Sequence, residues 1–406
     1  MSCGKSELCI FDRATPQVVV ENGKFEEIFP VNSIAGKSHA DLEFNIVGSH
    51  TEYLDLNDTL LCVELKVVDD KGADYTVDAA NTPSNYMFHT LWKDVILTLN
   101  TEKIEGGDNN YMHKALLDTI LNYNTDTRNT NLTSIGYEGE TARTANCNKS
   151  KTISLCGTLQ LDFFDQPKYL IPGVNVNIKL KRNEPGFCIY SAALKPKIEY
   201  ISARLLVRRV RVEPSVLMGH QLGLNARNAI YPIRQCKLVT YNVGKGLMSF
   251  NKDQIFGDVR MPKFILVTFQ NHNKHYGAYT EKTGTYDHLK CTKISLTGAT
   301  DYMESYEQDF ESNYTTTYVQ SMIRNLGHMD KNLNNAITMK SFKDLFPFFT
   351  FILAPDFDIN QTQLPKQGNL RLEIKFAEAL AESMIVLIYG IFDHEIQINK
   401  ARTVLM

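Results

Sequence analysis

From Val174 the chain alternates strictly. Val174, Val176, Ile178 and Leu180 fall on one side, and Asn175, Asn177, Lys179 and Lys181 on the other. A period of two is what a half-buried β-strand requires, because successive side chains leave opposite faces of the pleat. Nearly the same phrase returns close to the end, where Leu370, Leu372, Ile374 and Phe376 alternate with Arg371, Glu373 and Lys375. Each copy follows a turn containing Leu, Pro and Gly. Each also lies downstream of an aromatic run, Phe163-Phe164 in the first case and 346–351 in the second. The copies stand roughly 196 residues apart, too far for a solenoid repeat of about 20–50 residues. The spacing points to one β-domain built twice.

Composition supports this. The chain has 406 residues, 43% of them hydrophobic and 22% charged, so two sizeable cores can be buried. The net charge of −3 gives no overall basic field for nucleic acid. No run of about 18 apolar residues is present, so no transmembrane helix is expected. The first ten residues lack the apolar stretch of a signal peptide. Eight cysteines are scattered without a CxxC pair. They are expected to be free thiols in a reducing compartment, in a chain assembled inside a cell rather than secreted.

Along the chain, 1–38 reads as an extended polar arm and 39–213 as a first β-domain. A linker helix follows at 214–228, then a second β-domain at 229–398 and a tail at 399–406. In the first half, strands are expected at 42–47, 60–67, 95–99, 153 onward, 198–201 and 204–212, with a turn at Asn57-Asp58. Residues 111–122 read as a helix with Met112, Leu116 and Ile120 on one stripe. An Asn- and Thr-rich loop is expected from 122 to 150. The linker places Pro214 in the first helical turn and offers Val216, Leu217, His220 and Leu224 as an inner face. The second half repeats the order, with strands at 230–233, 237–241, 264–269, 293–296, 348–353 and 384–391. A short helix spans 318–326, closed by Gly327.

Chemistry-bearing residues are sparse. His272 and His275 form an i, i+3 pair without a third ligand, which reads as a solvated loop rather than a zinc site. Gly244-Lys245-Gly246 lacks the preceding Gly and following Ser/Thr of a phosphate-binding loop and reads as a hairpin turn. Asp356 and Asp358 read as a turn. Arg204, Arg208, Arg209 and Arg211 alternate with apolar residues. They offer either the wet face of a strand or a surface for an anionic partner. Nothing assembles a nucleophile, base and orienter, so neither enzyme activity nor a metal or cofactor is expected.

As a set, the motifs resemble the double jelly-roll major capsid proteins of Polinton (Maverick) elements and adintoviruses, related to those of virophages and adenovirus-type capsids. The resemblance rests on Leu170-Ile-Pro-Gly-Val-Asn-Val-Asn-Ile-Lys-Leu-Lys-Arg182 with Phe187-Cys-Ile, and on the 203–212 stretch with Pro214-Ser-Val-Leu and His220. It continues through Ala229-Ile-Tyr-Pro-Ile-Arg, Phe250, Phe256 and His275-Tyr-Gly-Ala-Tyr-Thr, and ends with 366–378, Phe392-Asp, Ile396 and Arg402-Thr-Val-Leu. Glu52-Tyr-Leu-Asp-Leu fits as well. It covers most of the chain and is weakest at 122–150 and 279–312.

The resemblance implies an all-β fold of two consecutive eight-stranded jelly rolls with a few short helices in loops. It further implies a homotrimer of nearly hexagonal outline that tiles an icosahedral virion shell, a separate penton or minor capsid partner, and only indirect contact with packaged DNA. The residues by themselves leave open a two-domain β-sandwich binding or adhesion module. They also leave open a β-sandwich glycosidase with two carboxylates about 5–10 Å apart.

Overall fold

The computed structural model describes residues 17–32, 34, 41–78, 80–257, 260–298, 303–326, 335–354, 362, 364 and 366–405. In the first half the strands are β1 (Val20–Ile28), β2 (Leu42–Ile46), β3 (Glu52–Val68), β4 (Asn81–Pro83) and β5 (Trp92–Leu99). They continue with β6 (Glu102–Glu105), β7 (Ile153–Gly157), β8 (Val176–Arg182), β9 (Ile189–Ser191) and β10 (Lys197–Val212). These form two four-stranded sheets, β1-β10-β3-β7 and β2-β8-β5-β6, with β4 and β9 as a side ribbon.

The second half holds β11 (Ala229–Val243), β12 (Ser249–Asp253), β13 (Phe264–Asn271), β14 (Cys291–Gly298) and β15 (Met303–Glu307). After these come β16 (Phe349–Ile352), β17 (Leu370–Phe376), β18 (Met384–Ile398) and β19 (Val404–Leu405). Its sheets are β11-β18-β13-β16 and β12-β17-β14-β15. Counted along its own half and leaving out the short ribbons, each pair of sheets has one order: first-eighth-third-sixth over second-seventh-fourth-fifth. Each half is therefore an eight-stranded jelly roll.

The two alternating phrases are β8 and β17, which hold the same place in their rolls. Ile178 lies between Phe44 on β2 and Leu97 on β5. Ile374 lies between Phe250 on β12 and Ile294 on β14. An isoleucine flanked by a phenylalanine and an aliphatic residue therefore recurs at the same place in the β2-β8-β5-β6 and β12-β17-β14-β15 sheets. Such cross-strand neighbours stabilise the pairing, while the opposed faces interdigitate to make the core.

Several expectations need correction. Val20–Ile28, assigned to the arm, is β1, an edge strand paired with β10. Its polar, exposed sequence is that of an edge rather than of an undocked segment. The supposed turn at Asn57-Asp58 is a bulge inside one 17-residue strand. Pairing jumps from Leu206↔Leu60 to Arg208↔Asp55, so the intervening β3 residues loop out opposite Val207. The two strands expected at 198–212 are one strand, and those at 230–241 are one strand.

Residues 125–147 are not a bare loop. Asn124 caps the Thr125–Asn129 helix by accepting from the Thr127 amide. The Glu140–Cys147 helix follows a 3-10 turn whose Leu132 and Ile135 are buried. Gly244-Lys245-Gly246 carries the chain from one sheet to the other, since β11 and β12 lie in different sheets. Val404–Leu405, in the expected tail, pairs with the end of β18. Gly327, Asp356, Asp358 and residues 1–16 lie outside the described residues.

Truncating Ile178, which is fully buried, should leave a cavity that costs about 2–5 kcal/mol. Urea unfolding of Ile178→Ala followed by the fluorescence of Trp92, on the neighbouring β5, measures it. Lys179→Ala, on the outer face, should cost less than about 1 kcal/mol.

Candidate functional site: the seam between the two rolls

The Tyr111–Asn122 helix is buried along its whole length except at Asn122. A stripe of Met112, Leu116 and Ile120 accounts for one side only, and the polar residues between them are enclosed too. The first roll covers one side of the helix and the second roll covers the other, so each buried polar group must find a partner in the seam.

Lys114 forms ion pairs with Glu105 and with Asp162 Oδ1, the latter at 2.8 Å. The other oxygen of Asp162 accepts the amide of Cys236, on β11 of the second roll, at 2.8 Å. One turn along the helix, Asp118 accepts the hydroxyl of Tyr389 from β18, and that hydroxyl lies 2.9 Å from Cys236 Sγ. Burial pushes the Glu105 carboxyl up to about 7 and that of Asp118 up to about 6. Burial alone would lower Lys114, but Asp162 and Glu105 hold its ammonium well above the usual range. The group is a buried, hydrogen-bonded ionic joint between the rolls.

Toward the second roll's His272–Tyr276 helical turn, His113 stacks on His275 with ring centres 4.1 Å apart and donates Nε2–H to the His275 carbonyl at 3.1 Å. Burial holds both imidazoles low, His275 at about 4, so the pair is neutral. His275 is thus a buried seam residue and not part of a solvated loop. Gly277, at φ +86°, closes this contact. A Cβ there would sit 2.6 Å from the Phe187 Cβ of the first roll, which is why the position needs glycine.

Two further ties close the ends. Arg128, buried on the first roll's helical connection, donates to the Asn335 carbonyl. Arg402 donates to the Pro172 carbonyl at 2.6 Å and accepts from Asn100 at 2.7 Å, which pins the last residues against the turn that opens β8. The Pro214–Ala226 helix joins the rolls, with Glu213 accepting from the Ser215 amide as its cap. Val216, Leu217 and Leu224 pack half-buried against the core. His220 Nδ1 lies 2.7 Å from the Tyr53 hydroxyl.

The arginine run lies on β10, between acidic residues of both neighbouring strands. Arg204 meets Glu27 at 3.3 Å and Arg211 meets Glu21 at 3.4 Å. Arg208 meets Asp55 at 3.0 Å and Asp58 at 2.6 Å. Arg209 is buried and pairs with Glu26 and the Val47 carbonyl. The basic run and the seam are separate features. The seam residues escaped sequence reasoning, because only the i, i+4 spacing of Lys114 and Asp118 was visible, and their partners come from distant strands.

Two jelly rolls of one strand order, joined through a buried helix, make this a double jelly-roll protein. No protein-family model matches the chain. An uncharacterized Caenorhabditis elegans protein, F54H12.2, is 23% identical over 413 residues, covering 95% of this chain and 97% of its own. Among solved structures, a chain of the PBCV-1 virus capsid superposes with a TM-score of 0.62 at 12% identity, covering 98% of this chain and 99% of that one. The mavirus major capsid protein gives 0.56 at 9% identity, covering 100% and 94%. At these identities the likeness is one of fold.

Two substitutions test the seam. Lys114→Met should cost about 3–5 kcal/mol near pH 8, because it strands buried carboxylates. Glu105 binds its proton more tightly folded than unfolded. Its contribution is therefore fully present below the unfolded value near 4.5 and is lost as pH rises through about 7. The variant should consequently regain stability between pH 8 and 5, as urea midpoints across pH will report. Gly277→Ala should cost about 1–3 kcal/mol, seen as faster amide exchange around residues 272–277 and 187.

Proposed function

We propose that this chain is a major capsid protein of the Polinton (Maverick)/adintovirus lineage. In this reading three copies form a homotrimer whose six rolls present a nearly hexagonal outline, and trimers tile an icosahedral shell of a virus or virus-like transposon. The observation that carries the reading is the pair of rolls of identical strand order, locked by a buried ionic seam, with fold likeness to capsid chains along nearly the whole length. A rigid subunit with a repeated outline is what a six-sided tile built from three chains requires.

A shell of six-sided tiles needs five-sided positions to close, and the reading assigns these to a separate penton protein. Contact with packaged DNA is indirect, in keeping with the carboxylates that already face Arg204, Arg208, Arg209 and Arg211. The role is structural and involves no catalytic step. Assembly takes place inside the host cell, in keeping with buried thiols such as Cys188 and Cys291, which burial pushes up to about 12 and so keeps protonated.

Light scattering on the full-length chain after gel filtration should give three times the 46.1 kDa chain mass, and negative stain should show hexagonal outlines. A monomer at micromolar concentration would replace the capsid reading with a two-domain binding or adhesion module.

A further inference from the structure

A cleft of about 550 Å³ opens where the helical connection of the first roll meets residues 282–285 and 336–346 of the second. That volume falls in the range of small-molecule sites. Its walls carry the cations Arg128, Arg143 and Lys282 against one carboxylate, Glu140. Lys282 and Glu140 pair at 2.8 Å. Among the described residues the two arginines make no ion pair and are held by carbonyl oxygens instead. Arg128 donates to Ile120 and Asn335, and Arg143 to Glu138 and Pro83. Carbonyls fix the direction of a guanidinium without neutralising it, so three cations face one carboxylate among the lining residues.

The second observation is independent of charge. Among the described residues, Arg128 Nε and the Tyr86 hydroxyl are buried in this wall with no hydrogen-bond partner, in residues only 4% and 5% exposed. Buried donors without acceptors destabilise a fold and call for an explanation. Burial pushes the Tyr86 phenol far up, so it remains a donor at any physiological pH. Its ring stacks on that of Tyr137 at 4.9 Å, and both residues line the cleft. A guanidinium Nε–H and a phenol O–H that both lack acceptors, in a cleft whose cations outnumber its carboxylates, match an oxyanion.

We propose that this cleft binds the phosphate or carboxylate group of a small organic anion, with Arg128 Nε and the Tyr86 hydroxyl as donors and the Tyr86–Tyr137 pair against its organic body. The site lies apart from the charged joint around Lys114 and does not depend on the assembly reading.

The test is thermal unfolding and calorimetric titration of the full-length protein with inorganic phosphate, citrate and adenosine 5′-monophosphate, each against potassium chloride of matched ionic strength. A rise in Tm with phosphate and the nucleotide, larger for the nucleotide, assigns the site to phosphate. A rise with citrate alone assigns it to carboxylate. Tyr86→Phe should leave the ligand-free Tm unchanged or higher, because it removes an orphan donor, while weakening binding at least about tenfold. The proposal is overturned if none of the three probes shifts the Tm at millimolar concentration, or if Tyr86→Phe binds as tightly as the parent. It is equally overturned if that substitution lowers the ligand-free Tm, since the hydroxyl would then have a partner within the fold.

Discussion

An ammonium group taken out of water must be neutralised where it sits, and Lys114 imposes that demand at the centre of this molecule. Its two carboxylates come from the first roll, but one of them, Asp162, needs the Cys236 amide of the second roll to satisfy its remaining oxygen. Separating the rolls would therefore return more than apolar surface to water. It would strip hydrogen-bond donors from buried carboxylates that are satisfied only when both walls are present. The stacked histidines and the glycine contact at Phe187 extend the same requirement outward, so the two rolls behave as one body.

Different forces hold the edge of the β1-β10-β3-β7 sheet. β1 is an edge strand with little apolar surface to bury, and its attachment depends on backbone pairing and on the acidic side chains that meet β10. Exposed pairs such as Arg204–Glu27 contribute little singly, whereas Arg209, buried and also bound to the Val47 carbonyl, fixes the register. Each of the four arginines on this strand meets an acid of a flanking strand.

Much of the fold was legible because alternation is a local signal. β8 and β17 could be read from single residues, and their equivalence follows from the repeated flanking turns. Features set by distant partners were not legible. Asn57-Asp58 carries turn chemistry, yet β10 pairs on both sides of it and turns it into a bulge. Val20–Ile28 looks like an arm until β10 supplies its counter-charges. The enclosure of the Tyr111–Asn122 helix was invisible for the same reason, since half of its wall lies more than a hundred residues away in sequence. His275 read as a solvated residue because nothing local announces the imidazole of His113.

The order of synthesis gives the seam helix a second role. Residues 105–162 emerge long before His275 and Tyr389, the groups that cover them. The first roll can close its two sheets once β10 is made, but Lys114, Asp118 and His113 then still face water. While exposed, those side chains keep the half-made protein soluble and discourage premature sticking to other chains. Once covered, the same groups make reopening costly. Polar groups that face water in the half-made chain thus become part of a contact that is costly to separate in the finished one.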